Sequence, residues 1–409
     1  MKLLFEILFW CSLFAILHSY LLYPIFIKIA SFFYINKLKT NEVSNAEPKV
    51  SILLSLYNEE TVIEEKILSI LNSNYPLEKI EILIGSDCST DNTNEIVNAF
   101  SSKHSNIQFY PYKERQGKPS VINQLYNHST GSILILTDAN VIFDPNTIVE
   151  IVKPFNNEEI GLVDTRMINK GLLANGISHQ ESKYISLEIN IKNHESNIWG
   201  TMMGPFGGCY AIRKSLYTQV PPNFLVDDFY INMHVLEKGY KAVNCLNAVV
   251  FEDVSNNLSE EFRRKTRIAT GNFQNLIRFK HLLNGLFGIK TNPNLKSFGL
   301  AFSFFSHKVL RWIIPFFIIL LFISNIAIIY FLKLNFNHYH IFLICLIISF
   351  FVPLTDILLK RININISIFR FLTHFYSMNI AMLIGFFRYI KGVESGIWQP
   401  TKRHQSSTI

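Results

Sequence analysis

The chain has 409 residues, of which 49% are hydrophobic, 35 are Phe and only 17% are charged. That length provides a sizeable core without disulfide support, and that composition is too apolar for an ordinary soluble protein. The net charge of +7 could mean a nucleic-acid partner, but Lys and Arg are scattered or flank apolar runs, with no basic stretch interleaved with aromatics. Anionic headgroups and phosphorylated substrates suit it better. Cys11, Cys88, Cys209, Cys245 and Cys345 stand far apart with no Cys-x-x-Cys pair, so neither a zinc site nor a disulfide framework is indicated.

Residues Leu3 to Phe33 are almost continuously apolar, interrupted by Glu6, His18 and Lys28, and exceed the roughly 20 residues that cross a bilayer. A cleaved signal peptide would have a shorter apolar region, more leading positive charge and a small-residue cleavage site, so residues 1–35 are expected to be a transmembrane helix. Lys37, Lys39 and Lys49 follow it and only Lys2 precedes it, which puts the next segment in the cytoplasm.

From residue 46 the pattern changes to short apolar, β-branched runs alternating with amphipathic segments. Strands are expected at Val50–Leu56, Glu81–Gly85, Ile107–Tyr110 and Ser132–Leu136, and helices from Glu59 to Leu71, Thr90 to Ser102 and Lys118 to His128. Such alternation predicts an α/β fold with a parallel sheet, here over residues 46–280. Residues 281–308, rich in Phe and broken by Gly285, Gly288, Pro293 and Gly299, suit either a helix lying in the membrane interface or a completion of the soluble domain. The apolar runs Trp312–Leu332, Ile341–Leu359 and Ile368–Phe387 then make residues 309–392 a membrane domain, followed by a tail, 393–409. One span before and three after would leave the C-terminus outside. Arg388, Lys391, Lys402 and Arg403 place it inside, so either the last segment is re-entrant or the count differs by one.

In a parallel α/β sheet, ligands collect at the carboxyl ends of the strands. Those ends read Tyr57-Asn-Glu-Glu60, Ser86-Asp-Cys-Ser-Thr-Asp91 and Thr137-Asp-Ala-Asn140. An aromatic, two carboxylates and small polar residues thus converge on one edge, where a nucleotide and a metal-bound diphosphate can be held. Taken singly, Asp87 or Ser89 could cap the following helix and Asp138 could serve a turn.

Together with Gln116-Gly-Lys118, Gly204-Pro-Phe-Gly-Gly-Cys-Tyr-Ala-Ile-Arg213, Val226-Asp-Asp-Phe229 and Arg263-Arg-Lys-Thr-Arg267, these segments resemble, in order and spacing, the motifs of family 2 inverting glycosyltransferases with a GT-A fold. The resemblance extends to membrane-bound members such as cellulose, hyaluronan and poly-N-acetylglucosamine synthases. It implies a Rossmann-like catalytic domain with flanking transmembrane helices, in the cytoplasm beneath the cell membrane. The expected partners are a nucleotide sugar, most simply a UDP-sugar, a glycan or lipid-linked acceptor, and membrane lipids.

The resemblance also assigns roles. Tyr57 and Glu59 would meet base and ribose, and Asp87 would accept a hydrogen bond from the base. Asp138 and Asn140 occupy the Asp-x-Asp position that anchors Mg2+ or Mn2+ on the diphosphate. Asn at the second place keeps an amide oxygen but removes a charge. Asp228 matches the base that takes the acceptor's proton, and Asp227 beside it would help keep it basic; a cap for the helix from Tyr230 to Lys238 is the plainer use of the pair. Lys118, Arg264 and Arg267 would neutralise the departing diphosphate. Gly207 and Gly208 would let an acceptor sugar approach the backbone. Processive members carry Gln-x-x-Arg-Trp where this chain has Arg264-Lys-Thr-Arg267-Ile268, a departure that leaves processivity open. Ser306-His-Lys-Val-Leu-Arg-Trp312 also looks like the membrane-attached members, its cations marking a cytoplasmic interface. The rival readings are a nucleotidyltransferase, which would open with a Gly-rich loop absent after the first strand, and a non-catalytic nucleotide-sugar sensor, which would not need Asp138 and Asp228 together.

Overall fold

The structure, a computed structural model, describes residues 1–33, 47–171, 178–253, 258–289, 297–332, 336–362, 364 and 366–397. Lys37, Lys39, Pro293, Lys402 and Arg403, which bear on the expected topology, lie outside the described residues.

An eight-stranded sheet forms the centre, built from β1 (Val50–Leu56), β2 (Ile80–Asp87), β3 (Ile107–Tyr112), β4 (Ile133–Thr137), β5 (Val141–Phe143), β6 (Ile160–Lys170), β7 (Cys209–Arg213) and β8 (Lys241–Asp253), in the order β3-β2-β1-β4-β7-β6-β8-β5. The first four strands pair in parallel as the alternation predicts. Beyond β4 the sheet is mixed, because β7 runs antiparallel to β4 and β6, and β5 antiparallel to β8. The expectation of a parallel sheet holds for the first half only. β7 follows a 22-residue helix and the Gly-rich loop, and enters the sheet in the opposite sense to β4 and β6.

Helices cover both faces. On one side α3 (Ile63–Leu71), α4 (Thr93–Lys103) and α6 (Thr147–Val152) pack Ile63, Ile67, Ile70, Val97, Ile148 and Ile151 against Ile52, Leu54 and Ile82. On the other, α5 (Lys118–His128), α8 (Asp227–Glu237) and the end of α9 (Leu258–Phe279) meet Leu53, Leu83 and Leu134. Two covered faces explain why β1 is apolar apart from Ser51 and Ser55, with no polar alternation. A 22-residue helix, α7 (Ser178–Trp199), crosses between this domain and the apolar helices.

α1 (Lys2–Leu17) and α2 (Tyr23–Phe33), joined by a π turn at His18–Leu22, form one apolar helix. The helix containing Trp312 begins at Ser297, as α10 (Ser297–Ser303), and continues through a π turn into α11 (Leu310–Leu332). Its first turns, with Leu300, Phe304 and Trp312, are buried together with Leu282 in the same core as Leu53 and Leu83. Lys2–Phe33, Phe298–Phe331 and the stretch of α12 (His338–Arg361) are the three helices, among the described residues, long and apolar enough to cross a membrane. The last helix, α13 (Ser367–Lys391), packs along α9. Phe386 and Tyr389 face Phe273, and a Cβ at Gly385 would stand 2.9 Å from the backbone of Ala269 and Thr270. Its polar stripe is used inward as well, with Arg370 paired to Asp356 at 3.2 Å.

Candidate active site

The ends of β1 and β2 are held open by two residues with left-handed backbone, Asn58 (φ 55°) and Cys88 (φ 60°), a conformation uncommon outside glycine and kept where the surroundings over-determine it. Asn58 locks the two loops together: its Oδ1 accepts from the Thr90 amide at 2.8 Å and its Nδ2 donates to Thr90 Oγ1 at 3.2 Å. Asp91, and neither Asp87 nor Ser89, meets the start of α4, accepting from the Thr93 amide at 3.0 Å. Its other oxygen accepts from the Glu60 amide, and the Glu59 amide donates to Thr93 Oγ1.

Asp87 is freed from capping and turns to the 115–117 loop, where it accepts from the Gln116 amide at 2.6 Å and the Gly117 amide at 3.1 Å. Arg115, which the sequence did not single out, lies 3.6 Å from Asp87 and stacks 3.5 Å above the Tyr57 ring. Tyr57, Asp87 and Arg115 thereby form one wall.

The next side chain along, Lys118, opens α5 and donates to Asp138 Oδ1 at 2.7 Å. Burial disfavours its ammonium, but Asp138 and then Asp227 outweigh this and raise its pKa. Behind Asp138 a second lysine is buried outright. Lys66, on α3, donates to Thr137 Oγ1 at 2.9 Å and to the Val141 carbonyl, bracketing the Asp138–Asn140 turn. Burial pushes its pKa down to about 7 against the pull of Cys209 and Asp138. Read as one polar position of an amphipathic helix, it gave no signal in the sequence.

Asp227 and Asp228 stand in the first turn of α8, which starts three residues before the expected Tyr230. Asp228 Oδ1 accepts from the Phe229 amide at 2.8 Å. Burial and the neighbouring Asp227 charge raise its pKa from 3.8 to about 7. Gly207 has a specific reason to be glycine, since a Cβ there would lie 2.7 Å from Asp228 Oδ2. The Gly208 carbonyl accepts from the Asp138 amide at 3.0 Å. The Gly-rich loop therefore spans the gap between Asp138 and Asp228. Arg267 donates to the Leu225 carbonyl at 3.0 Å, and burial and Arg264 hold its pKa below the usual guanidinium range. Charge interactions run between Arg267 and Asp227, Asp228 and Asp138, and between Arg264 and Asp138. Lys118, Asp138, Asp228, Arg264 and Arg267, distant in sequence, thus share one site.

The same loop is anchored from behind. Lys192 on α7 pairs with Asp164 on β6 at 2.5 Å, both fully buried. Asp164 Oδ1 accepts from the Phe206 amide at 3.2 Å, and the Lys192 ammonium sits 3.5 Å from the Phe206 ring. One turn on, Glu195 accepts from the Met203 amide, from Tyr23 at 2.7 Å and from His307 at 2.8 Å, while Glu188 takes the other face of His307, Lys308 and Arg311. His307, Lys308 and Arg311 are therefore paired to α7, which ties the apolar helices to the loop over Asp228.

For an ion such as Mg2+ or Mn2+, Asp138 and Asn140 offer hard oxygen donors of the required kind, and Asp138 already carries a cationic partner in Lys118. No group of three or more His, Cys, Asp or Glu suited to a metal occurs among the described residues, so a nucleotide diphosphate would have to complete the coordination.

Residues 51–220 match the family profile described as Glycosyl transferase family 2. The probable glycosyltransferase YdaM of Bacillus subtilis is 27% identical over 288 residues, covering 66% of this chain and 67% of that protein. A poly-beta-1,6-N-acetyl-D-glucosamine synthase of Staphylococcus epidermidis is 25% identical over 276 residues, 63% of this chain. The match spans 66% of that synthase, just under two thirds of its length. In fold, the chain resembles the mannosyltransferase PcManGT from Pyrobaculum calidifontis, solved with GDP-Man and Mn2+, at a TM-score of 0.60 and 18% identity over 93% of this chain and 98% of the other. The chain thus carries a family 2 glycosyltransferase domain on a GT-A sheet, joined to apolar helices that could span a membrane.

Proposed function

We propose that the protein is an inverting, metal-dependent glycosyltransferase that moves a sugar from a nucleotide sugar, most simply a UDP-sugar, to a hydroxyl of a glycan or lipid-linked acceptor at the cytoplasmic face of a membrane. The observation that carries this reading is the Asp138–Gly208–Asp228 arrangement. A carboxylate suited to a diphosphate-bound cation and a second carboxylate with its pKa near 7 border the same glycine loop, the Asp138 amide bonded to the Gly208 carbonyl and Asp228 against Gly207.

Asp228 takes the proton of the attacking hydroxyl; its pKa near 7 leaves it ionised in part and basic enough to accept. As the acceptor oxygen bonds to the anomeric carbon, the bond from that carbon to the diphosphate breaks on the opposite face, which inverts the configuration. Lys118, Arg264 and Arg267 receive the charge that develops on the leaving diphosphate. A bound Mg2+ or Mn2+, held through Asp138 and Asn140, supplies Lewis-acid neutralisation of the same phosphates. The Tyr57–Asp87–Arg115 wall takes the nucleoside.

If the three apolar helices cross and α13 lies along the domain, the N-terminus is outside and the catalytic domain and C-terminus are inside, the side that Arg388 and Lys391 favour.

The test is incubation of the full-length protein in lipid nanodiscs with Mn2+ and a panel of UDP- and GDP-sugars, with acceptor lipids from membranes and mass spectrometry of the products. Sugar transfer that falls by about 10³-fold or more in Asp228→Asn supports the reading. Binding of a nucleotide sugar with no transfer by the wild type, or transfer unchanged in the variant, refutes it.

A further inference from the structure

We propose that Glu252, at the end of β8, supplies the second anionic oxygen of the metal site, replacing the carboxylate that Asn140 lacks; this rests on the metal-dependent reading above. The pairing of β5 with β8 sets Val141 opposite Glu252 and so brings the last turn of β8 beside the Asp138–Asn140 turn, although 112 residues separate Asn140 from Glu252. Asn140 Nδ2 donates to Glu252 Oε1 at 3.1 Å. A carboxylate oxygen can only accept, so this bond fixes which end of the amide points toward Glu252 and turns Asn140 Oδ1 the other way. Glu252 is only 7% exposed, and a buried carboxylate is held by cationic partners. The charge of Arg264 acts on Glu252 and on Asp138 together, which places all three in one electrostatic neighbourhood.

Asp138, Asn140 and Glu252 then present two carboxylates and an amide oxygen. Their formal charge of −2 is that of a motif with two aspartates, and every donor is a hard oxygen of the kind Mg2+ and Mn2+ take. Asn140 gains a definite task in this arrangement. It gives its own oxygen to the ion and orients the neighbouring ligand, as partners around metal ligands do. A structural role for Glu252, merely holding Asn140 and Arg264, makes a different prediction about metal affinity.

The experiment is a Mn2+ titration of the full-length protein in nanodiscs followed by electron paramagnetic resonance of the free ion, with Mn2+ alone and with UDP or GDP added, and no acceptor present. Glu252→Gln keeps an oxygen on the Asn140 amide and is expected to weaken Mn2+ binding by at least about tenfold. The exchange N140D/E252Q restores the charge count with donor and acceptor reversed, and is expected to return Mn2+ affinity to within about threefold of wild type. Because it keeps charge and hydrogen bond alike, the exchange is informative even where E252Q folds poorly. Unchanged Mn2+ affinity in E252Q, beside its loss in Asp138→Asn, overturns the assignment of Glu252 and leaves the metal-dependent reading standing. An exchange variant as weak as E252Q also overturns it. Absence of Mn2+ uptake by the wild type with either nucleotide brings down both.

Discussion

Replacing Asp228 by Asn separates its chemistry from any part it plays in starting α8. At pH 8 to 9 the carboxylate is ionised in folded and unfolded chains alike, but in the fold its charge is opposed by burial and by Asp227. As pH falls through about 7 the folded protein takes up a proton, whereas the unfolded chain does so only near 3.8. The wild type therefore gains stability from this group on acidification, fully by pH 4, and loses it as pH rises through 7. The gap from 3.8 to about 7 corresponds to about 4 kcal/mol as an upper bound. Asp228 is half-buried, so solvent screening reduces this to about 1–2 kcal/mol. At about 3 °C per kcal/mol for a domain of this size, Asp228→Asn should raise the melting temperature by about 3–6 °C at pH 8.5, less at pH 5, while abolishing transfer. If the carboxylate merely favours the N-terminus of α8, its loss costs about 0.5 kcal/mol, and the melting temperature drops slightly at every pH. Thermal unfolding of the nanodisc protein by intrinsic fluorescence at pH 5, 7 and 8.5, with parallel activity assays, distinguishes the two. An inactive variant that is also less stable at pH 8.5 refutes the view of Asp228 as a strained base.

Lys192→Met leaves Asp164 as a buried, unpaired charge and should cost about 3–5 kcal/mol; Asp164→Asn added to it should recover much of that. The double variant, stable but with a slackened Phe206 loop, should show a raised acceptor KM and an unchanged donor KM, and the opposite pattern disproves the anchoring role. Lys66→Met removes two donors behind the Asp138–Asn140 turn and should raise the donor KM about tenfold by initial-rate kinetics, at a stability cost of about 1–3 kcal/mol. A donor KM equal to that of wild type shows that Lys66 does not hold the turn.

The half of the site that the sequence made legible is the half built from single parallel strands. Val50–Leu56 and Lys118–His128 fall where the apolar pattern puts them, and each strand end delivers its polar residues to one edge, so Tyr57, Asp87 and Asp138 could be picked out together. What escaped depends on partners far along the chain. Glu252 ends a 13-residue strand whose neighbour is a three-residue strand over a hundred positions earlier. Lys66 looks like a solvated position of α3 until Thr137 and the Val141 carbonyl are placed over it. Lys192 and Asp164 become a pair only once α7 lies across β6. The run Ile368–Phe387 reads as a span, but its helix is not one of the described helices apolar enough to cross a membrane, and Arg370 and His374 point at Asp356 and Glu181.

The packing of α13 on α9 also orders events on the ribosome. The arginine helix emerges about a hundred residues before the helix that covers it, with two apolar helices in between. In the nascent chain the face of α9 around Ala269 and Phe273 stays bare until α11, α12 and α13 have been made, so the domain is covered there only once the apolar helices have been synthesised.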